Sequence, residues 1–194
     1  MSNIQSVCVF CGSNDGYEAD IGTMAEQMGK LIAQRGLRLV YGGGGIGLMG
    51  KVAQVALAEG AHVTGVITER LADTEQAPDN LSELIYTESL NDRKQIMFEK
   101  ADAFIVLPGG VGTLDEVVDL MLWRQLGLQD KPMVLVDYDG FWQPFANMLM
   151  HMATTGFAEI FREKMILMVP TPEDVFDALD AADKPAVDPQ PNLF

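Results

Sequence analysis

The chain has few basic residues. It contains 13 lysines and arginines against 28 aspartates and glutamates, which gives a formal net charge of −15. Nucleic acids and anionic membranes are bound by basic surfaces. The composition therefore predicts neither a nucleic-acid partner nor a membrane partner. It leaves open a small anionic ligand that is held by local hydrogen-bond donors.

Long apolar runs and a signal-like leader are also missing. No apolar run approaches the roughly 20 residues that a membrane-spanning helix needs. The first residues contain no basic region followed by an apolar segment of signal length. We therefore expect a cytoplasmic protein. With 194 residues, 48% of them hydrophobic, the chain is predicted to form one domain over residues 1–183, and the proline-containing stretch 184–194 is predicted to be a flexible tail.

Cysteine and histidine are scarce. The two cysteines, Cys8 and Cys11, have the C-x-x-C spacing, but a redox motif belongs at the start of a helix. Cys8 falls inside a predicted strand, so we interpret both as buried thiols beside a ligand-binding loop. The two histidines, His62 and His151, are far apart in sequence. No cluster has the spacing of metal ligands, and we expect neither a metal nor a cofactor.

Predicted strands and helices alternate along the chain. Strands are predicted at 6–10, 37–41, 62–67, 83–87, 103–107, 132–137 and 165–168. Helices are predicted at 17–35, from the first glycine run to about 59, at 90–100, after the second glycine run, and at 141–154, 159–163 and 173–179, with a long loop at 68–82. This alternation predicts a single-domain, Rossmann-like, doubly wound α/β fold with a mostly parallel sheet and helices on both faces.

The first glycine-rich run, residues 42–51, follows a predicted strand. Its spacing from Gly45 fits the dinucleotide fingerprint G-x-G-x-x-G and most of a P-loop. The P-loop needs Ser or Thr where this chain has Val52. The dinucleotide interpretation needs an acid after the next strand, and Glu69 could supply it, but the run follows the second strand rather than the first. An NAD(P)-dependent oxidoreductase therefore remains an alternative.

The second glycine-rich run, residues 108–116, leaves a buried strand and opens a helix. Glycines let backbone N–H groups approach a ligand closely, and a helix N-terminus suits a phosphate. Glu116 lies at the end of this run, where it either complements the helix dipole or acts on a sugar. Two such turns on one parallel sheet predict a mononucleotide that is held from both sides. The alternative is that one of the two runs serves only tight packing.

Arg93 is predicted on the apolar face of its helix, together with Leu90 and Met97. A buried cation is costly without a partner. Either Arg93 forms a structural ion pair, with Asp119 or Glu116, or its guanidinium is directed at the charge of the ligand.

These motifs together resemble the Lonely Guy (LOG) family. The resemblance rests on the first glycine run, on Arg93-Lys94, and on the P-G-G-x-G-T-x-x-E motif that ends at Glu116. It extends from Cys11 to about Phe157. Members of the family are phosphoribohydrolases that release cytokinin bases from riboside 5′-monophosphates. Related proteins carry a lysine decarboxylase label, but the sequence shows no recognisable lysine site for pyridoxal phosphate.

The resemblance implies a homodimer whose active site lies at the carboxyl ends of the strands, with Arg93 and Glu116 as catalytic residues. It also implies that Glu75, Lys94 and the loop 110–113 hold the nucleotide. Together with the glycine turns, the expected substrate-binding set is Ser13, Gly43, Gly44, Gly45, Glu75, Lys94, Gly109, Gly110, Val111, Gly112, Thr113 and Asp115. Where the family often has histidine, this chain has Asn91, which cannot titrate near neutral pH.

The expected reaction is hydrolysis of the N-glycosidic bond of a purine nucleoside 5′-monophosphate. AMP, an isopentenyl-modified (cytokinin) nucleotide and another nucleotide are equally compatible with the sequence. A nucleotide carrier or sensor with the same fold is the other alternative to the oxidoreductase.

Overall fold

The computed structural model describes residues 4–158 and 166–182. Seven parallel strands form one sheet in the order β4-β3-β2-β1-β5-β6-β7. The strands are β1 Ser6–Phe10, β2 Arg38–Tyr41, β3 Val63–Thr68, β4 Glu83–Thr87, β5 Ala103–Val106, β6 Met133–Val136 and β7 Leu167–Val169. The predicted parallel α/β fold is confirmed.

Helices cover both faces of this sheet. They are α1 Ala19–Gln34, α2 Gly47–Ala58, α3 Glu69–Thr74, α4 Leu90–Lys100, α5 Val111–Gln125, α6 Gln143–Thr154 and α7 Val175–Ala181. None of those in the described ranges is both long and apolar enough to cross a lipid bilayer.

Alternate residues of β1 point into two separate apolar clusters. Val7 and Val9 contact the cluster that includes the buried side chains of α1, α2 and α7. Cys8 and Phe10 contact the opposite cluster, which includes side chains of α4, α5 and α6. Because successive side chains of a strand face opposite sides, a strand buried on both faces reads as a continuous apolar run. This explains why the strands are recognisable in the sequence.

The order of the strands reverses beside β1. This strand pairs with β2 on one side and with β5 on the other. In open α/β sheets, ligands bind in the crevice that forms at the carboxyl ends of the strands at such a point. The turns that follow β1 and β5 therefore face one another.

Several elements differ from their predictions. The segment predicted as a long loop at 68–82 contains α3, which has no buried residue and so no apolar periodicity to reveal it. The helix predicted from residue 141 begins at Gln143, after a 3₁₀ turn at Tyr138–Gly140. The predicted helix at 159–163 and the predicted tail at 184–194 lie outside the described residues.

Candidate active site

A cavity of about 470 Å³ opens at the carboxyl edge of the sheet, between the turns that follow β1 and β5. The turn after β2, helices α4 and α5, and the end of α3 also contribute to its wall. Ser13, Glu75, Arg93, Gly109–Thr113 and Glu116 line it, as the sequence predicted.

Glu116 lies in the second turn of α5 and is 9% exposed. Burial raises the pKa of its carboxyl group to about 7, although the nearby guanidinium of Arg93 opposes this rise. A carboxyl group with such a pKa exists in both protonation states near neutral pH, as an acid–base group must. Glu116 is therefore a titratable group of the cavity, whereas Asn91 lies exposed on α4.

Arg93 is fixed on three sides. Its Nε donates a hydrogen bond to the carbonyl oxygen of Val66 at 2.9 Å, and its Nη2 donates to that of Gly42 at 3.1 Å. Its Nη1 lies 3.8 Å from Oε1 of Glu116. The ends of two strands thus hold the guanidinium beside the buried carboxyl group. A planar guanidinium held in this way is oriented before any ligand binds.

Lys94 lies outside the cavity lining. Its Nζ is 2.9 Å from Oδ2 of Asp115 and 2.5 Å from Oδ2 of Asp119. Burial lowers the pKa of Lys94, but the hydrogen bonds with Asp119 and Asp115 outweigh it, so that the pKa is raised overall. Lys94 therefore joins α4 to α5 and keeps Arg93 opposite Glu116. Asp119, one of the two acids predicted to pair with Arg93, pairs with Lys94 instead.

Glu75, at the end of α3, brings a second carboxyl group to the cavity. Burial raises its pKa, and the charge of Arg93 opposes this. Its Oε2 is buried and has no hydrogen-bond partner among the described residues. Buried polar atoms in folded proteins nearly always have a partner, so an unpartnered carboxyl oxygen in a cavity is a candidate acceptor for a ligand hydroxyl.

The second glycine turn is open toward the cavity. Helix α5 begins at Val111 after Gly110, and no side chain caps its N-terminus. The first N–H groups of a helix have no partner within it and carry the positive end of its dipole. A Cβ atom added at Gly110 or Gly112 would meet no atom within 4 Å. This end of α5 therefore leaves room for an anion against its free amides.

The first glycine turn is closed. The N–H groups of Leu48 and Met49, at the start of α2, both donate to the carbonyl oxygen of Gly12, at 3.1 and 3.4 Å. The N–H of Gly45 donates to the carbonyl oxygen of Glu75 at 2.7 Å. A Cβ at Gly45 would lie 2.1 Å from the carbonyl oxygen of Gln76. The amides that a dinucleotide pyrophosphate would need are thus already bonded to protein.

Gly43, Gly44 and Gly45 consequently lie behind the cavity wall, whereas Gly42, Leu48 and Met49 of this run line the cavity. Close packing explains these glycines: Gly43 lies against Val66 and Ile67 of β3, and Gly44 and Gly45 lie against the end of α3 and the turn that follows it. This is the packing alternative for the first run. Asp115, like Lys94, lies outside the lining.

Gly12 and Phe141 line the cavity but were not predicted: Gly12 acts through its backbone, and Phe141 follows an irregular turn that has no periodicity.

Both cysteines are buried and free. Burial raises the pKa of the Cys11 thiol, at the floor of the cavity, and that of Cys8. These thiols are therefore held in their neutral form, which agrees with the interpretation of buried, unreactive cysteines. Within residues 4–158 and 166–182, no group of three acidic, cysteine or histidine side chains is arranged to bind a metal ion.

Comparison with known proteins supplies the family. A probable cytokinin riboside 5′-monophosphate phosphoribohydrolase of Oryza sativa subsp. japonica is 39% identical over 174 residues, which cover 90% of this chain and 78% of that protein. The cytokinin riboside 5′-monophosphate phosphoribohydrolase of Rhodococcoides fascians is 45% identical over 154 residues, which cover 79% of this chain and 78% of that protein. The chain belongs to the LOG family of phosphoribohydrolases. A family model described as "Possible lysine decarboxylase" also matches residues 49–179.

Solved structures share the fold of this LOG-family protein. A molybdenum cofactor carrier protein from Chlamydomonas reinhardtii superposes with a TM-score of 0.68 at 20% identity, over 90% of this chain and 94% of that one. A molybdenum cofactor binding protein from Rippkaea orientalis superposes with a TM-score of 0.65 at 23% identity, over 93% of this chain and 98% of that one. At this level of identity the likeness concerns the fold alone.

The decarboxylase description implies pyridoxal phosphate, which a lysine amine holds as a Schiff base. The residues present do not fit that group, because the lining of the cavity contains no lysine among the described residues. Lys94, which follows Arg93 in the sequence, is engaged by two carboxylates.

Proposed function

We propose that this protein hydrolyses the N-glycosidic bond of a purine riboside 5′-monophosphate, AMP or a cytokinin nucleotide, to the free base and ribose 5-phosphate. One observation supports this above the others. The buried carboxyl group of Glu116, with a pKa of about 7, faces Arg93 in the same cavity into which the open N-terminus of α5 projects. An anion site and an acid–base group are thus one helical turn apart.

The 5′-phosphate binds at the start of α5. Val111, Gly112 and Thr113 present the first amides of a 15-residue helix, and Gly110 and Gly112 have no Cβ to obstruct the approach. Amides at a helix N-terminus bind phosphate without a cationic side chain. This binding is remote from the bond that breaks, so it can fix the anomeric carbon in place for the reaction.

Glu116 acts on the sugar. Cleavage of a glycosidic bond passes through an oxocarbenium-like transition state, which a nearby carboxylate stabilises. Water adds to the anomeric carbon and loses a proton to Glu116, while the base leaves with the electron pair of the C–N bond. The leaving base then takes up a proton, so that charge and atoms balance. A positioned acid–base group contributes roughly 10²–10⁴-fold to such a step.

Arg93 and Glu75 position the nucleotide. The guanidinium of Arg93, held by the carbonyl groups of Val66 and Gly42, keeps Glu116 oriented and faces the departing base. The unpartnered oxygen of Glu75 accepts a hydrogen bond from a ribose hydroxyl. The carbonyl that fixes Gly45 belongs to the same residue, so the packed glycine turn supports Glu75 from behind.

The protein acts as a cytoplasmic homodimer, without nucleic acid or membrane as a partner. Helix α5 and the residue that follows it carry an exposed apolar stripe in which Val118, Leu122 and Leu126 recur every four residues, and Leu128 and Leu90 are also exposed. Residues four apart lie on one face of a helix, and contiguous exposed apolar surface marks an interaction site. Sedimentation of the wild type against L122E tests this face: the variant should be monomeric.

Incubation of the purified protein with AMP, followed by chromatography of the products, tests the reaction. Equimolar adenine and ribose 5-phosphate are expected. Saturable binding of AMP without release of adenine would instead indicate a carrier. Reduction or oxidation of a nicotinamide cofactor would indicate the oxidoreductase, and either result would contradict the proposed hydrolysis.

A further inference from the structure

One aromatic side chain on the wall of the cavity has no part in the mechanism above. Phe141 follows the 3₁₀ turn after β6, lines the cavity and is 43% exposed. A large apolar ring that stays half exposed gains little for the folded chain from burial. Its position at the rim of the cavity is therefore the feature that calls for an explanation.

The backbone fixes this ring at an energetic cost. Asp139 has φ of 49°, which is unusual for a residue with a side chain, and Gly140 follows with φ of 75°. Such strain persists only where neighbouring contacts enforce it, and it concentrates at functional sites. Oδ1 of Asp137 accepts a hydrogen bond from the N–H of Trp142 at 2.7 Å. The ring of Phe141 packs edge-on against that of Trp142, with centroids 5.0 Å apart.

The topology places this ring beside the proposed phosphate site. In the sheet, β5 lies between β1 and β6. The N-terminus of α5, which follows β5, is therefore flanked by the turn after β1 and by the turn after β6. Asp15 lines the cavity from the first of these turns, and Phe141 lines it from the second. Glu116 and Arg93 lie on the other side of the anion site, toward β2 and β3.

The lining of this rim offers no free cation to a second phosphate among the described residues. Arg93 is the one cationic side chain of the lining among the described residues, and it is bonded to Val66 and Gly42 and faces Glu116. Beyond the first phosphate, the lining presents the apolar ring of Phe141 and the carboxylate of Asp15, which is already paired with Lys51 (Nζ to Oδ1, 3.7 Å) outside the lining. Desolvating a phosphate without a donor or a cation is unfavourable.

We propose that Phe141 is a specificity-determining residue, which closes the cavity beyond the helix N-terminus and so restricts the substrate to nucleotides with a single 5′-phosphate. This inference rests on the proposed function, because it assumes that the phosphate binds at the start of α5. The ring excludes the β-phosphate of a nucleoside diphosphate and shields the amide–phosphate contacts from water.

The test compares AMP and ADP as substrates of wild type, F141A and F141L. For each protein, adenine release gives kcat/KM for both nucleotides. In F141A the ratio of kcat/KM for AMP to that for ADP should fall by about tenfold, the size of effect that loss of one apolar contact produces in a binding pocket. Most of the change should be a lower KM for ADP. F141L keeps an apolar side chain and should stay closer to wild type.

F157A is the matched control, because Phe157 is also an exposed phenylalanine (88%) but does not line the cavity. An unchanged AMP-to-ADP ratio in F141A would overturn the inference while leaving the hydrolysis intact. If wild type released no adenine from AMP, the proposed function would fail instead. The calorimetric affinities of wild type and F141A for the two nucleotides would then still show whether Phe141 selects for one phosphate, and an equal affinity ratio in both proteins would refute it.

Discussion

Two glycine-rich turns follow two parallel strands of the same sheet, and they differ in whether their backbone amides are already hydrogen-bonded. In the turn after β2, backbone amides are bonded to the carbonyl groups of Gly12 and Glu75, and an added Cβ would clash with backbone atoms. In the turn after β5, the helix N-terminus is uncapped and an added Cβ at Gly112 would meet nothing. The number and spacing of glycines do not separate a packing turn from a binding turn. What separates them is whether the amides already have acceptors.

Substitution of Glu116 by Gln should give the largest effect on activity, because Glu116 is the acid–base group of the proposed reaction. It lies on α5, the helix that begins at the open turn. Removal of an acid–base group is expected to lower kcat by roughly 10²–10⁴-fold. AMP should still bind, since the amides of α5 remain. Steady-state kinetics and calorimetry check both points. E99Q is the matched control, because Glu99 is an exposed glutamate of α4 that lies outside the cavity wall.

Substitution of Gly45 by Ala tests the closed turn. The added methyl group would lie 2.1 Å from the carbonyl oxygen of Gln76, and overpacking of this kind costs about 1–3 kcal/mol. Thermal denaturation should therefore show a lower Tm than that of wild type. A variant with unchanged Tm and a raised KM would show that this turn, too, serves the ligand rather than the packing.

Substitution of Gly112 by Ala is the counterpart in the open turn. The methyl group meets no atom in the free protein, so Tm should stay as in wild type. It occupies space in front of the amides, and we expect KM for AMP to rise by about tenfold, which corresponds to about 1.4 kcal/mol. A loss of stability as large as that of G45A would remove the distinction between the two turns.

The pH dependence of stability should show the smallest effect. The folded chain raises the pKa of Glu116 to about 7, above the ordinary value of a glutamate, so the folded state binds this proton more tightly than the unfolded state does. Its contribution to stability is therefore present at low pH and is lost as the pH rises through 7. Between pH 6 and 7 the loss should be about 1 kcal/mol.

Denaturant unfolding of wild type and E116Q across this range measures the difference. The neutral glutamine carries no such proton, so E116Q should lack the decline. Activity should change in the opposite direction, because the carboxylate form of Glu116 stabilises the cationic transition state. Parallel pH profiles for the unfolding of the two proteins would contradict the assignment of this titration to Glu116.

The architecture was predictable because its central strands are buried on both faces. Residues 7–10 and Ala103–Val106 are continuous apolar runs, and the alternation of such strands with helices requires a parallel sheet. Helix α3 was missed because its side chains contact solvent on every side or are only half buried. The strained turn at Asp139 was missed because nothing in a periodic pattern marks it.

The contact between Arg93 and Glu116 was predictable from the positions of these two residue types. An arginine on an apolar helix face and a glutamate at the start of a glycine-opened helix both require partners, and the structure places their side chains 3.8 Å apart. The partner of Lys94 was not predictable, because a charged side chain on α4 can reach several acids of α5. The difference between the glycine turns depends on backbone acceptors in distant segments, which no local pattern contains.

The peptide of Gly12 joins three turns of the chain. Its N–H donates to the carbonyl oxygen of Pro108, and its carbonyl oxygen accepts from Leu48 and Met49. The loops after β1, β2 and β5 are therefore tied together by main-chain atoms alone. Because these hydrogen bonds involve no side chain, the side chains of the three loops can be substituted, and the nucleotide specificity changed, without breaking them. The relative positions of Arg93 and Glu116 would then be kept.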